Sequence, residues 1–282
     1  MSRRRAFALA VLAVTAGAAA NAAAWSPSAD MDAAPSGRIA FSDRIIGKVD
    51  AYRIVVVNAQ GVRRVLPLAP GHSFTPAWSP DATKIAFVSA GYNYERPEVW
   101  VMNADGTGQR RLTRKGDEPA WSPDGLSIAF SRGRDIHVMS PDGSGERMLT
   151  RNGYSPAWSP DGGSIAFVRT GEIFVMFADG TEQRRLTRSR LPEFNPDWSP
   201  TGTKIAFDRA ERVYVMNADA SRQHFIALGY DPSWSPDATR IAYNSQPRGL
   251  SNQGIYTINA DGSRRRYVGG FDQSGGAAWS RR

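Results

Sequence analysis

The sequence contains no cysteine and only three histidines among its 282 residues. Without cysteine the chain forms no disulfide bond and carries no thiolate nucleophile or lipid-modified cysteine. His72, His137 and His224 occupy different positions in the repeat described below, so we do not expect them to converge as metal ligands. A Gly-x-Ser-x-Gly nucleophile motif is also absent from the sequence. We therefore expect no catalytic residues, no metal site and no cofactor.

Long hydrophobic runs are missing except near the N-terminus. Residues 6–20 are apolar and alanine-rich, follow three arginines, and precede small residues suited to cleavage. This pattern predicts an export signal over residues 1–24 and a linker over residues 25–35, and so a periplasmic or extracellular protein. A membrane anchor is the alternative, disfavoured because the stretch is short and only weakly apolar. Arg4-Arg5-Ala6-Phe7 hints at twin-arginine export, and both this route and the general secretory route stay open.

A tryptophan followed by serine is the dominant feature of the rest of the chain. The spacings between successive copies are 43, 37, 40, 36 and 45 residues. The six copies stand at Trp78, Trp121, Trp158, Trp198, Trp234 and Trp279. A period near 40 residues with four short apolar runs in each unit predicts an all-β fold, a six-bladed β-propeller of four-stranded blades over residues 36–282.

Each unit predicts four strands, which we name A to D. In the unit that starts at Pro76, strand A lies around Trp78 and strand B at Ile85-Ala86-Phe87. Strand C is a run such as the Ile-Phe-Val-Met of a later unit, and strand D is a run such as Arg-Arg-Leu-Thr. Ser-Pro-Asp-Gly or a close variant predicts a tight turn between A and B, and Asn-Ala-Asp-Gly predicts a hairpin turn between C and D. Because the aspartates are explained by these turns, calcium ligation is not expected.

The two ends of the chain predict how the ring closes. Residues 38–41, 54–59 and 64–66 supply strands B, C and D without an adjacent strand A, and residues 277–280 supply a strand A alone. Pairing them completes a sixth blade and removes an open sheet edge. Trp25 is the alternative for strand A, but it lies 14 residues before Ile39, whereas Trp78 lies seven before Ile85.

Positive charge concentrates at the predicted outer strands. Without the first 24 residues the chain keeps 32 basic and 27 acidic residues, a net charge of +5. The arginines concerned include Arg110, Arg111, Arg147, Arg184, Arg185 and Arg222. Edge protection is the preferred interpretation, because charge on an exposed strand opposes pairing with other strands. An acidic polymer or an anionic membrane surface is the alternative, and nucleic-acid recognition is not expected.

The motifs Pro-Ala-Trp-Ser-Pro-Asp-Gly, Ile-Ala-Phe and Met-Asn-Ala-Asp-Gly with Arg-Arg-Leu-Thr resemble the WD40-like (PD40) repeats of TolB-type six-bladed propellers. The resemblance implies a periplasmic protein of the Tol-Pal envelope system, whose propeller binds the peptidoglycan-associated lipoprotein. TolB proteins also carry an N-terminal α/β domain, which we expect this chain to lack, so a full Tol-Pal role is not expected. Similar repeats occur in prolyl-oligopeptidase-like peptidases, where a separate hydrolase domain performs catalysis.

The turns between A and B and between C and D share one face, whereas the connections that vary between blades lie on the other. We call the second one the variable face. Variable loops on a rigid scaffold commonly form binding surfaces. The candidate ligand- or partner-binding residues on it are Phe74, Tyr92, Tyr94, Arg96, Asp117, Glu118, Tyr154, Arg190, Phe194, Tyr230 and Asp231. Aromatic side chains that merely cap the inner ends of the blades are the alternative interpretation.

Two functional hypotheses follow from this sequence. The first is an exported, monomeric, non-catalytic module that binds a protein, a peptide or another component of the cell envelope through the variable face. The second is a hydrolase or lyase that acts in the propeller channel. A cluster of acidic and histidine side chains inside the channel would favour the second.

Overall fold

The computed structural model describes residues 37–45, 51–67, 69–91, 94–245, 254–270 and 275–280. The predicted signal, the linker and Trp25 lie outside these residues. The described backbone forms 24 β-strands in six antiparallel four-stranded sheets, so the predicted six-bladed propeller is confirmed. Within the described ranges there is no helix of the length and apolarity that a membrane crossing requires.

The strands follow one another in blade order. Blade 1 joins β1 (Ile39–Ile45), β2 (Ala51–Val57) and β3 (Arg63–Val65) to the last strand, β24 (Gly275–Trp279). Blade 2 contains β4 (His72–Trp78), β5 (Lys84–Ala90), β6 (Glu98–Asn103) and β7 (Arg110–Thr113). Blade 3 contains β8 (Asp117–Trp121), β9 (Ile128–Arg132), β10 (Asp135–Met139) and β11 (Arg147–Arg151).

The other three blades repeat this order. Blade 4 contains β12 (Tyr154–Trp158), β13 (Ser164–Arg169), β14 (Glu172–Phe177) and β15 (Arg184–Arg185). Blade 5 contains β16 (Glu193–Trp198), β17 (Lys204–Arg209), β18 (Arg212–Asn217) and β19 (His224–Leu228). Blade 6 contains β20 (Tyr230–Trp234), β21 (Arg240–Ser245), β22 (Gly254–Asn259) and β23 (Arg266–Gly269). The six tryptophan-bearing strands contact one another in a ring, so they form the inner wall.

The core is divided into six clusters, and each one fills the space between two neighbouring blades. Between blades 3 and 4, Trp158 packs with Ile165 and Phe167 of its own blade and with Ala129 and Ile136 of the preceding one. The isoleucine and phenylalanine of strand B thus face the preceding blade, while its alanine faces the following blade. Because alanine is small, the next tryptophan can approach the sheet closely, as the sequence pattern predicts.

Blade 1 closes the ring with strands from both ends of the described chain. β24 pairs antiparallel with β1, with Trp279 opposite Ile39. Ser280 Oγ accepts a hydrogen bond from the Arg38 N–H at 2.8 Å, and the Ser280 N–H donates to Arg38 O at 2.7 Å. The Arg38 guanidinium stacks 4.5 Å from the ring centre of Trp78 in blade 2. The prediction that Trp279 supplies the inner strand of this blade is confirmed.

The two kinds of tight turn lie together on one face. Ala104 N–H of a C–D turn donates to Thr83 O of an A–B turn at 2.8 Å, and Ala178 repeats the bond to Gly163 O at 3.1 Å. The turn aspartates serve their own turns. Asp161 Oδ1, for example, accepts from Ser159 Oγ at 2.5 Å and from the Gly163 N–H at 3.0 Å. These hydrogen bonds lower the pKa of Asp161.

The outer-strand arginines also connect neighbouring blades. Arg110 donates to Pro141 O at 3.0 Å and to Asp142 O at 2.7 Å in the C–D turn of the next blade. Arg147 reaches Asp179 O in the same way at 3.4 Å. These side chains therefore join the rims of successive blades, a structural role additional to the edge protection that the sequence predicts.

Candidate functional site

The inner strands share one backbone irregularity, located three residues before each tryptophan. At this position the register against strand B shifts, and the φ angle lies between 43° and 57°. The six residues are Thr75, Glu118, Ser155, Asn195, Asp231 and Gly276, and we call them the polar belt. A left-handed conformation costs about 1–2 kcal/mol for a residue other than glycine. Such strain persists only where the surrounding structure supports it, and it concentrates at functional sites.

Hydrogen bonds connect the polar belt from blade to blade. Glu118 accepts from the Ser155 hydroxyl at 2.9 Å and from the Ser155 N–H at 2.7 Å. The Ser155 hydroxyl also lies 3.4 Å from Asn195 Oδ1, and Asn195 Nδ2 donates to Asp231 Oδ1. The Gly276 N–H lies 3.4 Å from Asp231 Oδ2. Five blades are therefore joined by one chain of contacts along the inner wall.

The two ends of this chain of contacts meet at blade 2. A Cβ atom added to Gly276 would lie 3.1 Å from Thr75 Cα, so glycine permits the close approach. The Tyr94 hydroxyl, from the connection between β5 and β6 of blade 2, donates to Asp117 Oδ1 of blade 3 at 2.5 Å. Burial, followed by the charge of Asp117, raises the pKa of Tyr94, which keeps it a hydrogen-bond donor.

Strand B supplies a second set of polar groups behind the polar belt. Asp208, which is buried, accepts from Asn195 Nδ2 at 2.8 Å and from the Asp231 N–H at 3.2 Å. Asn244 is likewise buried and donates to Asp231 Oδ2 at 3.2 Å. Ser131 donates to Glu118 Oε2 at 2.7 Å. Asp208, Asn244 and Ser131 each come directly after the aromatic residue of strand B, in blades 5, 6 and 3.

The two aspartates interact electrostatically. Burial, together with the negative charge of Asp231, raises the pKa of Asp208 to about 8. Burial raises the pKa of Asp231 to about 6. Hydrogen bonds from Gly276 and Asn244 favour the charged form and so partly oppose this rise. The pair titrates as a unit, and near neutral pH it holds a proton that a neutral carboxyl group can donate.

Aromatic side chains surround the polar belt on the variable face in two groups. The first contains Tyr52, His72, Phe74 and Tyr94, with centroid distances of 5.1 Å for Tyr52–Phe74 and 4.9 Å for Phe74–Tyr94. The second is the pair Tyr154 and Phe194 of blades 4 and 5, 6.3 Å apart. Phe194 is 37% exposed, so this pair is accessible to a partner.

The predicted site residues have different locations. Glu118 and Asp231 lie in the polar belt, Asp117 and Tyr94 bond next to it, and Phe74, Tyr154 and Phe194 form the aromatic groups. Tyr230 lies half-buried at the start of β20. Arg96 and Arg190 are exposed on the variable connections, and the structure gives neither a contact with the polar belt. Tyr92 lies outside the described residues.

Sequence reasoning missed Thr75, Ser155, Asn195 and Gly276 of the polar belt, and Asp208 and Asn244 behind it. A usable signal was present, because the residue three before each tryptophan differs in every unit while the residue after it is proline in five of the six units. The three histidines lie apart, as expected: His72 near Tyr52, His137 beside Glu146 and His224 on β19. Across the described residues, no group of three or more His, Asp or Glu side chains is arranged to hold a metal ion.

Comparison with known proteins supports the fold. Residues 35–172 match the family described as the TolB beta propeller domain, PD40. TolB from Acinetobacter baumannii is 21% identical with a TM-score of 0.74, over 86% of this chain and 66% of that chain. A putative TolB from Agrobacterium tumefaciens is 21% identical with a TM-score of 0.67, over 83% of this chain and 88% of that one.

A more distant structure is an oligogalacturonate lyase in complex with manganese, 14% identical with a TM-score of 0.53, over 82% of this chain and 73% of that one. Among functionally curated proteins, no sequence matches this chain. At these identities the structural similarity establishes the propeller architecture and not the activity.

Proposed function

Because the chain is a TolB-like six-bladed β-propeller of PD40 repeats, we propose that it is an exported binding module that recognises an envelope or secreted protein through the variable face. The TolB-type sequence match and the two TolB structures support the class of function. The apolar, arginine-led N-terminal segment supports export to the periplasm or the cell exterior.

One observation carries the proposal: the polar belt lies between two aromatic groups on the variable face, of which the pair Tyr154 and Phe194 is accessible. We call the polar belt and these two groups the channel mouth. Tyrosine and phenylalanine provide large contact areas at low entropic cost, and they are enriched at the centres of protein interfaces. The polar belt provides oriented donors and acceptors for the backbone or polar side chains of a bound segment. A protein or peptide that covers Tyr154 and Phe194 and places polar groups over Glu118 and Asp231 fits this arrangement.

The test compares two double variants in affinity capture from envelope extracts of the native organism, followed by mass spectrometry. In the first variant, Tyr154→Ala and Phe194→Ala remove the accessible aromatic pair. In the control, Leu126→Ala and Phe177→Ala remove side chains that are 70% and 52% exposed on the face of the tight turns. We expect the aromatic-pair variant to lose the captured partner and the control to retain it.

Both variants should melt within a few degrees of the unsubstituted chain, since all four side chains are partly or largely exposed. Equal recovery of the partner by the aromatic-pair variant and the unsubstituted chain would contradict the proposed site. Loss of the partner by the control alone would move the binding surface to the opposite face.

Catalysis in the channel stays a second prediction. The raised pKa of the Asp208 and Asp231 pair is a feature found in general acids. Both carboxyl groups, however, are engaged by Asn195, Asn244 or backbone N–H groups, so they are bonded into the wall. A binding role therefore accounts for more of the described geometry than a hydrolase or lyase does.

A further inference from the structure

The outer strand of blade 5, β19, lacks the arginines that the other outer strands carry. One position of the outer strand is arginine in five blades and His224 in blade 5. The strand C residues that pair with this position are Val56, Val101, Val138, Val175, Val215 and Thr257. The five arginines are Arg64, Arg110, Arg147, Arg184 and Arg266. His224 Nδ1 instead lies 3.1 Å from Arg222 O of its own blade.

Two further positions of β19 are apolar. Phe225 stands opposite Tyr214, at a position where blades 2 and 4 have arginine. The equivalent residues of the other blades are Arg111, Arg185, Val65, Met148 and Tyr267. Leu228 stands opposite Arg212, where blade 3 has Arg151. Phe225 is 51% exposed and Leu228 is 55% exposed, so two large apolar side chains lie side by side on the rim.

The backbone edge of β19 is also open. It is the last strand of its sheet, and no described strand lies on its outer side. Outer strands of five residues occur only in blades 3 and 5 among those described, and β11 of blade 3 begins and ends with arginine. Charged residues at a sheet edge oppose the addition of another strand. Among the described outer strands β19 alone contains no arginine, and it also exposes Phe225 and Leu228. It is therefore the outer strand best suited to accept another strand.

The charged residues around β19 indicate what kind of partner strand would bind to it. Its hairpin carries the exposed arginines Arg212 and Arg222 and the acidic residues Glu211 and Asp219, and Asp219 accepts hydrogen bonds from the Ser221 N–H. The outer strands of the neighbouring blades add Arg184, Arg185 and Arg266. A second copy of this chain, with a net charge of +8, would bring the same positive rim to the contact.

We propose that β19 is a second docking site, independent of the channel mouth, that binds an extended segment of a partner protein by β-strand addition. The segment pairs its backbone with the outer edge of β19, packs apolar side chains against Phe225 and Leu228, and places acidic residues near the arginines of the rim. Main-chain hydrogen bonds provide affinity in this mode, and the side chains provide specificity.

Fluorescence anisotropy with two synthetic peptides tests the proposal. Both peptides have a core of alternating valine and threonine, about six residues long. One carries aspartates at both ends and the other carries lysines. We expect the intact chain to bind the aspartate peptide at least about tenfold more tightly than the lysine peptide, a difference of about 1.4 kcal/mol.

The matched variants restore arginine to the rim. Phe225→Arg gives β19 the arginine that blades 2 and 4 have at this position, and Leu228→Arg gives it the arginine that blade 3 has. The double variant combines both changes, and Leu228→Arg alone is the milder form. Met148→Arg makes the same change on β11, where Met148 is 44% exposed and occupies the position equivalent to Phe225. We expect the β19 variants to bind the aspartate peptide at least about tenfold more weakly, and the Met148 variant to bind it as the intact chain does.

Three results would overturn the proposal. The first is no measurable binding of the aspartate peptide to the intact chain, and the second is equal binding by the β19 variants. The third is a dimer of the intact chain in analytical ultracentrifugation that the β19 substitutions abolish, because the occupant would then be a second copy. The Tyr154 and Phe194 variant is expected to bind the peptide normally, so failure here and failure at the channel mouth are distinguishable.

Discussion

The two faces of the propeller use carboxyl groups in opposite ways. On the face of the tight turns, the aspartates accept hydrogen bonds from residues two positions away, and these bonds lower the pKa of Asp124 and Asp161. On the variable face, Asp208 and Asp231 are engaged by residues from their own and from neighbouring blades, and burial raises their pKa. A local carboxylate stabilises a turn, whereas a shared, buried pair stores a proton where a partner is expected to bind.

The largest expected effect on stability comes from deleting the strand that closes the ring, because both faces depend on the closed ring. Deletion of residues 277–282 takes away most of β24 and the Trp279 side chain, which pairs with β1 and packs between blades 6 and 1. We expect the melting temperature in differential scanning calorimetry to fall by more than about 10 °C. Deletion of residues 281–282 alone leaves β24 whole and should change it by less than about 2 °C. An unchanged melting temperature after the longer deletion would contradict a stabilising role for β24 in closing the ring.

A single tryptophan of the scaffold should matter more than an aromatic residue of the channel mouth. Trp158→Ala creates a cavity between blades 3 and 4, and we expect it to lower the free energy of unfolding by about 3–5 kcal/mol in urea titrations. Phe194→Ala removes a partly exposed ring and should cost less than about 1 kcal/mol. Similar losses in the two variants would show that the mouth is part of the core.

The raised pKa of the Asp208 and Asp231 pair predicts a pH dependence with a definite sign. The folded state binds protons more tightly than the unfolded state, so stability is greatest near pH 5 and falls as the pH rises to about 8. One proton held only by the folded state changes the free energy of unfolding by about 1.4 kcal/mol per pH unit, so we expect a decrease of about 4 kcal/mol across this range. Asp208→Asn should flatten the dependence, as measured by unfolding at a series of pH values.

The turn aspartates give the control for this experiment. Because their pKa is lowered in the folded state, the stability they contribute is lost only as the pH falls below their unfolded value of about 4. A wild-type profile that rises between about pH 5 and pH 8 would contradict the assignment of the raised pKa to the channel mouth.

The smallest expected effect concerns a turn that departs from the repeat. Blade 5 has Thr201 where other A–B turns have aspartate, and Thr201 Oγ1 lies 3.1 Å from Ser199 Oγ. Thr201→Asp should add the hydrogen bonds that Asp161 makes and raise the melting temperature by about 1–2 °C, whereas Asp161→Ala should lower it by a similar amount. No gain from Thr201→Asp would indicate that the threonine hydroxyl already serves the turn equally well.

The repeat made the backbone predictable from the sequence. Six tryptophans at a regular interval, with turn residues at fixed offsets, are sufficient to predict six blades, four strands in each blade and closure by Trp279. Blades 2 to 6 are built from strands that are consecutive in the sequence and joined by short connections. The sequence of each unit therefore indicates the structure of its own blade.

The hydrogen bonds between residues of the channel mouth could not be predicted in the same way. Asn195 bonds to Asp231, 36 positions along the chain, and Ser155 bonds to Glu118 across 37 positions. Such contacts depend on how neighbouring blades are oriented, which a single sequence does not specify. The sequence predicted Glu118 and Asp231 as charged loop residues. The shared left-handed backbone three residues before each tryptophan relates them to Ser155 and Asn195.

Ring closure also sets the order in which the protein can fold. The hydrogen bond between Arg38 and Ser280 spans 242 positions, whereas blades 2 to 6 are each built from consecutive hairpins. Because the entropy of closing a long loop must be lost before its contacts form, blade 1 is expected to assemble last and to limit the folding rate. Until then β1 exposes a free edge, so the newly made chain is most vulnerable to aggregation and proteolysis just before its two ends meet.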